Sequence, residues 1–516
     1  MPDLIRAWTP FGLSLLTSVF TILAFQDFNL WYLAWLSLTP LLVAVGTQPL
    51  TVKSSFLYGL LAGSVFFYGS CYWITYPMIH YGGIAPWLAY GLAAIPVIVS
   101  GAFWGGVTAG LRLAILRGGR SGYWLAPPLW VVMEWLRLQV TGMGWNALGY
   151  SQAFAPSTMQ YARWTGVYGV SFMLVMVATL LALLAQVGLK RQLHRRWWKL
   201  LACVFALMLA FMWTSWRWRP PHCSQQSGLR VVAIQPNTDV ASHADPMVLQ
   251  ASFEQLLSLT YQAIAADPLS PDLIIWPESP LAISPVYSPQ LWVQTRQLVE
   301  RFGIHLLLNI IGHTPPDQIH NSVAVLAPDG TLLSEYRKIR LMPFGEYVPL
   351  RDVLPWLDRV SALVGDFTPG HEFTLTPIAH ERIGSFICSE SAEPSIARHL
   401  TRRGATLLIE VTNDAWFGPT AGANQHLAHA IFRAVENARP LIRVTNSGVT
   451  VLIEPDGQLI EPTGLFETAI RQWTIDSSAL AATETVYTRW GDWFVIACGL
   501  ACLMILARAQ RKPSVA

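Results

Sequence analysis

The amino-acid sequence predicts a polytopic α-helical membrane part with one α/β layered domain inserted near its C-terminal end, and three observations support this prediction. Of the 516 residues, 53% are hydrophobic and only 13% are charged, whereas about 25% are charged in an average soluble chain. The apolar excess is concentrated before residue 218 and again near the C-terminus. Between these regions, short β-rich runs alternate with helical patterns. The net charge of +3 is too small and too scattered to favour a nucleic-acid partner.

Eight apolar stretches are long enough to form membrane-spanning helices, which need about 20 predominantly apolar residues. They lie near 9–26, 29–47, 54–78, 86–112, 122–137, 160–188, 197–215 and 490–508. The predicted organisation is therefore a seven-helix transmembrane domain over 1–220, an inserted domain over 228–480 and a C-terminal transmembrane helix over 488–510.

Basic residues are found in alternate connecting segments, which indicates the side of the membrane that each segment faces. Lys and Arg are enriched in short cytoplasmic loops. The loops around Asp27 and 79–85 contain none, and only Arg137 and Arg163 depart from the alternation. With an odd number of crossings before residue 220, we expect both termini in the cytoplasm and residues 220–485 outside it. The residues that set this orientation are Arg6, Lys53, Arg112, Arg117, Arg120, Lys190, Arg191, Arg195, Arg196, Lys199, Arg508, Arg511 and Lys512.

The inserted domain contains several nearly continuous apolar runs, which are typical of strands buried on both faces. Helical patterns occur between them, so the domain is predicted to be an α/β layered fold. The predicted helices are 248–266, 289–302 and 423–438. The predicted strands are within 229–237, 272–279, 304–312, 321–338, 383–390, 405–414 and 441–460.

Three of these strand ends carry groups that could perform chemistry together. Glu278 follows "LIIWP", Lys338 follows "LLSEYR" and Cys388 follows "GSFI". A thiol needs a base to become a nucleophilic thiolate near neutral pH. A carboxylate can accept that proton, and an ammonium can stabilise the oxyanion of a tetrahedral intermediate. Taken singly, each residue also has an ordinary explanation: Glu278 as an acid in a turn, Lys338 as a solvated lysine and Cys388 as a buried thiol.

Other kinds of site receive less support from the sequence. The chain has no GxSxG motif of a serine hydrolase. Six cysteines are present, none at CxxC spacing. His426 and His429 lie in a helical stretch without a third ligand pattern. We therefore expect no metal and no cofactor.

Four motifs in order, "IIWPES", "YRKIRLMPFGEYVP", "FICSE" and "TNDAWFG", resemble the nitrilase superfamily. With the helices, the whole chain resembles the apolipoprotein N-acyltransferase family. The membrane part is similar in "FNLWYLAWLSLTPLL" (28–42) and "EWLRLQVTGMGWNALGYSQ" (134–152), and the domain in "NQHLAHAIFRAVENARPLIRVTNSGVT" (424–450). The resemblance implies a nitrilase-like domain, an αββα layered sandwich.

The resemblance also implies a reaction and its residues. Glu278 would be the general base, Lys338 the oxyanion-stabilising cation and Cys388 the nucleophile. Cys388 would take an acyl chain from a phospholipid, usually phosphatidylethanolamine in this family, as a thioester. The acceptor would be the N-terminal amine of a diacylglyceryl-cysteine lipoprotein. The enzyme would lie in the bacterial inner membrane with the catalytic domain facing the periplasm.

Further residues receive supporting roles in the same way. Glu346, Glu390 and Asn321 would orient Lys338 and the loops around the thioester, and the Ser389 N–H would be a second oxyanion donor. Trp416 and Phe417 are expected at the lipid entrance. Trp145 and Tyr150 are expected to be exposed, either as anchors at headgroup depth or as a wall of that entrance.

The role of two intramembrane ionisable residues has two explanations. Glu134 and Arg137, spaced i, i+3, are either a functional pair or an ion pair at a helix end.

Two rival functions also remain open. A membrane-tethered amidase or nitrilase would use the same triad but pass the acyl group to water. A transporter or receptor with an extracytoplasmic sensing domain would not need Cys388.

Overall fold

The protein divides into two compact units. The first, here the helical unit, comprises Met1–Ile79, Gly83–Arg219 and Trp490–Ala516; the second, the sheet unit, comprises His80–Gly82 and Pro220–Arg489. The computed structural model describes residues 2–26, 28–189, 219–239, 246–266, 270–278, 281, 283–315, 317–348, 366–481 and 483–510, with isolated positions between 199 and 217. The predicted span at 197–215 lies outside the described residues, apart from those isolated positions.

The helical unit contains a helix at each of the other predicted spans. The sequence explains why the helices Val52–Ser70 and Pro86–Gly118 pack closely: Gly63 and Gly101 have no side chain, so the two backbones can approach each other. A Cβ atom on Gly63 would lie 2.9 Å from the Gly101 Cα atom. The α-helices are Pro2–Ala24, Ala34–Ser37, Thr39–Thr47, Val52–Ser70, Thr75–His80, Pro86–Gly118, Ala126–Thr141, Pro156–Met159, Ala162–Thr165, Val167–Leu189 and Trp493–Gln510.

Two helical stretches among the described residues are long and apolar enough to cross a membrane, namely Pro86–Thr141 and Val167–Gln186. A third qualifies if Val52–Ser70 and Tyr72–His80, which meet at a bend of 58°, form one span. Shorter apolar helices occupy Thr9–Ala24, Trp31–Thr47 and Trp493–Arg508. Eight crossings therefore remain a prediction, while the apolar, multi-helix character of this unit is observed.

Among its described residues, the sheet unit contains two six-stranded sheets. The strands are Ser224–Gln235 (β1), Leu273–Ile275 (β2), His305–Thr314 (β3), Gln318–Leu326 (β4), Leu332–Arg337 (β5), Leu375–Ile378 (β6), Glu381–Ile387 (β7), Leu407–Thr412 (β8), Leu441–Thr445 (β9), Val451–Ile453 (β10), Leu459–Ile460 (β11) and Ala469–Asp476 (β12). The first sheet has the order β12-β1-β2-β3-β4-β5 and the second the order β11-β10-β9-β8-β7-β6. At the centre of each sheet three strands run parallel, β1, β2 and β3 in one and β7, β8 and β9 in the other.

Helices cover both sheets. Leu256 and Leu298, from two amphipathic helices, pack with Ile274 and Leu306 of the first sheet. The helix against the second sheet, Gly422–Asn437, has nearly every side chain buried. The α-helices of the sheet unit are Pro246–Ala266, Pro289–Phe302, Pro394–Arg402, Gly422–Asn437, Ser478–Ala481 and Val486–Trp490. The predicted αββα sandwich is confirmed.

A buried polar hub joins the two sheets. The Gln235 side-chain carbonyl, on β1, accepts hydrogen bonds from the hydroxyls of Thr445, Thr450 and Thr463 at 3.0, 2.7 and 2.9 Å. Thr445 belongs to β9 of the other sheet. Buried polar groups must be hydrogen-bonded to avoid a desolvation penalty. The hub therefore fixes the position of the two sheets relative to each other.

Candidate active site

The sheet topology explains why three distant residues meet. Lys338 directly follows β5, Cys388 directly follows β7, and Glu278 lies three positions beyond β2. Parallel strands end at one edge of a sheet, and β5 points the same way as β3 because two antiparallel pairings separate them. The predicted triad is thus brought together, with Glu278 and Lys338 from the first sheet and Cys388 from the second.

Hydrogen bonds link the acid, the amine and two supporting residues. The Lys338 ammonium, 2% exposed, donates to Glu346 Oε1 at 2.9 Å. The Asn321 amide nitrogen donates to Glu346 Oε1 at 2.7 Å and to Glu278 Oε1 at 3.0 Å. The Asn413 backbone N–H donates to Glu278 Oε2 at 3.2 Å. The two carboxylates are therefore held by a shared amide beside one cation.

Cys388 occupies a strained backbone position. Its φ is +51°, in the left-handed region that L residues with a Cβ atom rarely adopt. The residue begins a single 3₁₀ turn, Cys388–Ala392, that ends β7 abruptly. Its side chain lies beside those of Glu278 and Thr412. Strain of this kind at the end of a strand is common at functional sites.

The site shifts the protonation of all three groups. Burial and the Glu278 charge raise the pKa of Cys388 well above that of a free thiol, against the lowering effect of Lys338. Burial also raises the pKa of Glu278, partly offset by Lys338. Burial opposes the charge of Lys338, but Glu346, Cys388 and Glu278 together raise its pKa. The resting site accordingly holds a neutral thiol beside a firmly charged ammonium.

We expect the alkylation of Cys388 by iodoacetamide to accelerate about tenfold per pH unit through the neutral range, because the thiolate reacts and the raised pKa keeps it scarce. Glu278→Gln removes the negative charge that raises the Cys388 pKa, so its alkylation profile should move to lower pH. Quantifying the Cys388 peptide by mass spectrometry measures both profiles. A rate that is already constant below pH 7 would contradict the raised pKa.

Glu390 connects the ends of β5 and β7. Its Oε1 accepts the backbone N–H groups of Ile339 and Arg340 at 2.8 and 3.0 Å, and its Oε2 accepts that of Ile387 at 2.9 Å. The Tyr336 hydroxyl donates to the same carboxyl. Burial raises the pKa of Glu390 to about 6, opposed by Lys338 and the backbone donors. Glu390 thus fixes the segments that carry Lys338 and Cys388 relative to each other.

If Cys388 is acylated, as the family resemblance implies, Asn321→Ala should slow that acylation by about 10- to 100-fold and lower the free energy of unfolding by about 1–3 kcal/mol, since two carboxylates lose their shared donor. Acyl-adduct formation and thermal unfolding measure the two effects. Asn437→Ala is the matched control, because Asn437 is also buried but bonds to Arg433 and Thr488. It should affect stability alone. Equal loss of rate in both variants would refute a role for the Asn321 amide.

The remaining predicted site residues differ in how far their side chains are exposed. Ser389 is half-buried and follows the nucleophile in the 3₁₀ turn. Trp416 is 43% exposed, but Phe417 is buried, with its ring 5.5 Å from that of His426. In the helical unit Trp145 is 5% and Tyr150 2% exposed, and the Trp145 ring packs 5.0 Å from Trp73. The expectation that Trp145 and Tyr150 are exposed is wrong.

Glu134 and Arg137 are both buried in the helical unit and support the chain around Trp145. Glu134 Oε1 accepts the Trp130 indole N–H at 2.8 Å and the Leu148 backbone N–H at 2.7 Å. Arg137 donates to the carbonyls of Met143 and Trp145 and lies over the Phe67 ring. Through these contacts both residues hold the 142–151 loop in place.

Several site residues escaped the sequence-based prediction. Thr412, Asn413 and Tyr336 contact the triad or Glu390, and His426 bonds to the Cys388 carbonyl at 3.0 Å. The position of Thr412 and Asn413 at the end of β8 was a signal that could have found them. Within the described part of the chain, His380, Glu381 and Asp476 form the one group of three possible metal ligands whose ligand atoms lie within 4.8 Å of one another. Its Glu381 carboxylate accepts hydrogen bonds from Ser477 and Thr406.

The comparisons with known proteins agree with both units. The family model described as carbon-nitrogen hydrolase matches residues 230–485, and that described as apolipoprotein N-acyltransferase N-terminal domain matches residues 17–180. The fold and site therefore define a carbon–nitrogen hydrolase domain joined to an apolar helical unit.

Curated relatives match nearly the whole chain. An apolipoprotein N-acyltransferase of Geobacter metallireducens is 31% identical over 98% of this chain and 96% of its own length. Proteins of the same name from Azotobacter vinelandii and Allorhizobium ampelinum are 32% and 30% identical, over 96% and 88% of this chain and 94% and 86% of their own lengths. The chain belongs to the apolipoprotein N-acyltransferase family. The predicted family, fold class and enzyme class are confirmed, and the hydrolase alternative is not favoured.

Proposed function

We propose that this protein transfers a fatty acyl chain from a phospholipid, through a thioester on Cys388, to the N-terminal amine of a diacylglyceryl-cysteine lipoprotein. The observation that carries the proposal is the convergence of Glu278, Lys338 and Cys388 at the ends of three strands from two sheets. The acid, the cation and the nucleophile are the three groups that acyl transfer through a thioester requires.

In the first half-reaction, Glu278 accepts the proton of the Cys388 thiol while the sulfur attacks the ester carbonyl carbon of the phospholipid. The Lys338 ammonium and the Ser389 backbone N–H stabilise the oxyanion that forms. When this intermediate collapses, the C–O bond of the ester breaks and the lysophospholipid leaves. Its alkoxide receives the proton held by Glu278. The acyl chain is then joined to Cys388 as a thioester.

In the second half-reaction, the lipoprotein amine attacks the thioester carbonyl. An α-amine has a pKa near 8 and is partly neutral at physiological pH. Glu278 accepts a proton from the attacking nitrogen, the C–S bond breaks, and the proton returns to the sulfur. The product is an amide, and the free thiol is restored. Because the two lipids react in turn, one acyl-binding region serves both.

The membrane setting of this reaction follows from the basic residues in alternate loops. We place the protein in the bacterial inner membrane with both termini in the cytoplasm and the sheet unit in the periplasm. Phosphatidylethanolamine is the expected acyl donor. This arrangement brings the site to the leaflet that contains the diacylglyceryl group of an exported lipoprotein.

Intact-mass analysis after incubation with a defined phospholipid tests the proposal. We expect a long-chain acyl adduct on Cys388 that is discharged when a diacylglyceryl-cysteine peptide is added, with the acyl chain recovered on the peptide amine. Cys223→Ala, which removes a buried thiol of the same unit, should form the adduct normally. Release of free fatty acid instead of acylated peptide would favour the membrane-tethered hydrolase. Absence of any adduct would exclude the thioester.

A further inference from the structure

A buried group of charged side chains lies beside the nucleophile and has no part in the half-reactions above. This charged cluster consists of Glu410, Asp414, His426 and Arg443, each at most 1% exposed at its side chain. Arg443 Nη1 lies 2.6 Å from Glu410 Oε2, and Arg443 Nη2 lies 2.7 Å from Asp414 Oδ2. The guanidinium therefore binds both carboxylates of the cluster.

His426 extends this cluster to the backbone of the nucleophile. Its Nε2 lies 3.0 Å from the Cys388 carbonyl oxygen, and a carbonyl oxygen can only accept, so Nε2 carries a hydrogen. Its Nδ1 lies 2.8 Å from Asp414 Oδ1 and 3.0 Å from Arg443 Nη2. Glu410 Oε1 is 3.4 Å from Nε2. The contacts of Nδ1 with Asp414 and Arg443 fix the orientation of the ring, so that Nε2 faces the Cys388 carbonyl oxygen.

The bond from His426 is among those that restrain the strained segment. The Ile387 N–H, one residue before Cys388, is held by Glu390, and the Cys388 carbonyl is held by His426. The left-handed conformation between these two groups needs compensating interactions to persist. A buried carbonyl that loses its hydrogen-bond donor also destabilises the folded state. Without His426 the segment would relax and move the sulfur away from its partners.

We propose that His426 is a positioning residue for the nucleophile: its Nε2–H bond to the Cys388 carbonyl holds the left-handed backbone that keeps Sγ beside Glu278 and Lys338. Asp414, Arg443 and Glu410 hold the imidazole in this orientation. The inference rests on the proposed role of Cys388 as nucleophile. It concerns geometry, so its effect should appear in any reaction of the thiol.

Alkylation of Cys388 by iodoacetamide, followed across pH by mass spectrometry of its peptide, tests this role without any lipid. His426→Asn keeps a donor near Asp414 but removes the one that reaches Cys388. We expect its alkylation near neutral pH to become about tenfold faster, because the displaced sulfur leaves the buried position and the Glu278 charge that raise its pKa and keep the thiolate scarce. His426→Gln, whose longer amide can reach the Cys388 carbonyl, should return the rate most of the way to that of the unsubstituted protein.

His429→Gln is the matched control, because His429 lies one turn along the same helix, is equally buried and has its ring 6.4 Å from that of His426. It should alkylate at the unsubstituted rate. Equal acceleration in His426→Asn and His426→Gln, acceleration in His429→Gln, or no acceleration in His426→Asn would overturn the proposal. If His426→Asn does not fold, His426→Leu, which also lacks the donor, takes its place with the same expected result.

The acyl-adduct experiment separates this inference from the proposed function. If the unsubstituted protein forms no acyl adduct but alkylates more slowly than His426→Asn, the thioester mechanism fails and the positioning role stands. If the adduct forms normally and the His426 variants alkylate at the unsubstituted rate, the positioning role fails alone.

Discussion

Replacing Cys388 with alanine should lower the rate of lipoprotein N-acylation by at least about 10⁴-fold, because the variant lacks the sulfur that carries the proposed covalent intermediate. The acyl adduct should disappear with it. The side chain is small and half-buried, so the folded state should lose little free energy. The measurements are N-acylation of a diacylglyceryl-cysteine peptide and thermal unfolding of the same preparation.

Cys388→Ser refines this prediction. The hydroxyl matches the thiol in shape, yet an alcohol is a much weaker acid than a thiol, so Glu278 cannot deprotonate it to a useful extent and we expect this variant to be nearly as inactive. Cys223→Ala should retain full activity. Normal N-acylation by Cys388→Ala would show that acyl transfer proceeds without a thioester at this residue.

Replacing Lys338 with methionine should abolish acylation and also destabilise the sheet unit by about 3–5 kcal/mol, because removing one partner of a buried ion pair leaves the other charge uncompensated. The Glu346 carboxylate loses its bond at 2.9 Å, and Glu278 loses the charge that lowers its pKa. Methionine fills the same volume without the charge. Thermal unfolding and the rate of acyl-adduct formation measure the two losses.

The pH dependence of this destabilisation has a definite sign. Without Lys338, the Glu278 pKa in the folded state rises further above its unfolded value, so the loss of stability is present at neutral pH and shrinks as the pH falls and the carboxyl is protonated. The control is Arg337→Met, since Arg337 is partly exposed and pairs with Glu335 at 3.2 Å. We expect it to cost about 1 kcal/mol or less. Similar losses in the two variants would contradict a buried, functional ammonium.

The sheet unit could be predicted well because its strands follow simple local rules. Buried parallel strands such as β7 and β8 read as continuous apolar runs, and their ends mark the reactive edge. This rule placed Glu278 and Cys388 correctly at the ends of buried strands, whereas Lys338 follows β5, an antiparallel edge strand. It failed to find β6 and β12, which are edge strands with half-exposed side chains and weaker apolar patterns.

Burial of aromatic residues could not be predicted in the same way. Trp145 and Tyr150 look like membrane-interface anchors from composition alone. Their burial depends on partners remote in sequence, because Trp73 packs against Trp145 and Gln26 donates to the Tyr150 carbonyl at 2.9 Å. The bond from His426 to Cys388 spans 38 positions and also leaves no local signal. Pairings of this kind are set by tertiary packing rather than by neighbours along the chain.

The hub at Gln235 has a consequence for when the enzyme becomes reactive. The base and the ammonium belong to one half of the sandwich and the sulfur to the other, so a chain with a single completed half contains only an ordinary cysteine. The three groups meet only when the two halves dock. The reactivity of Cys388 therefore depends on the completed assembly of the sandwich.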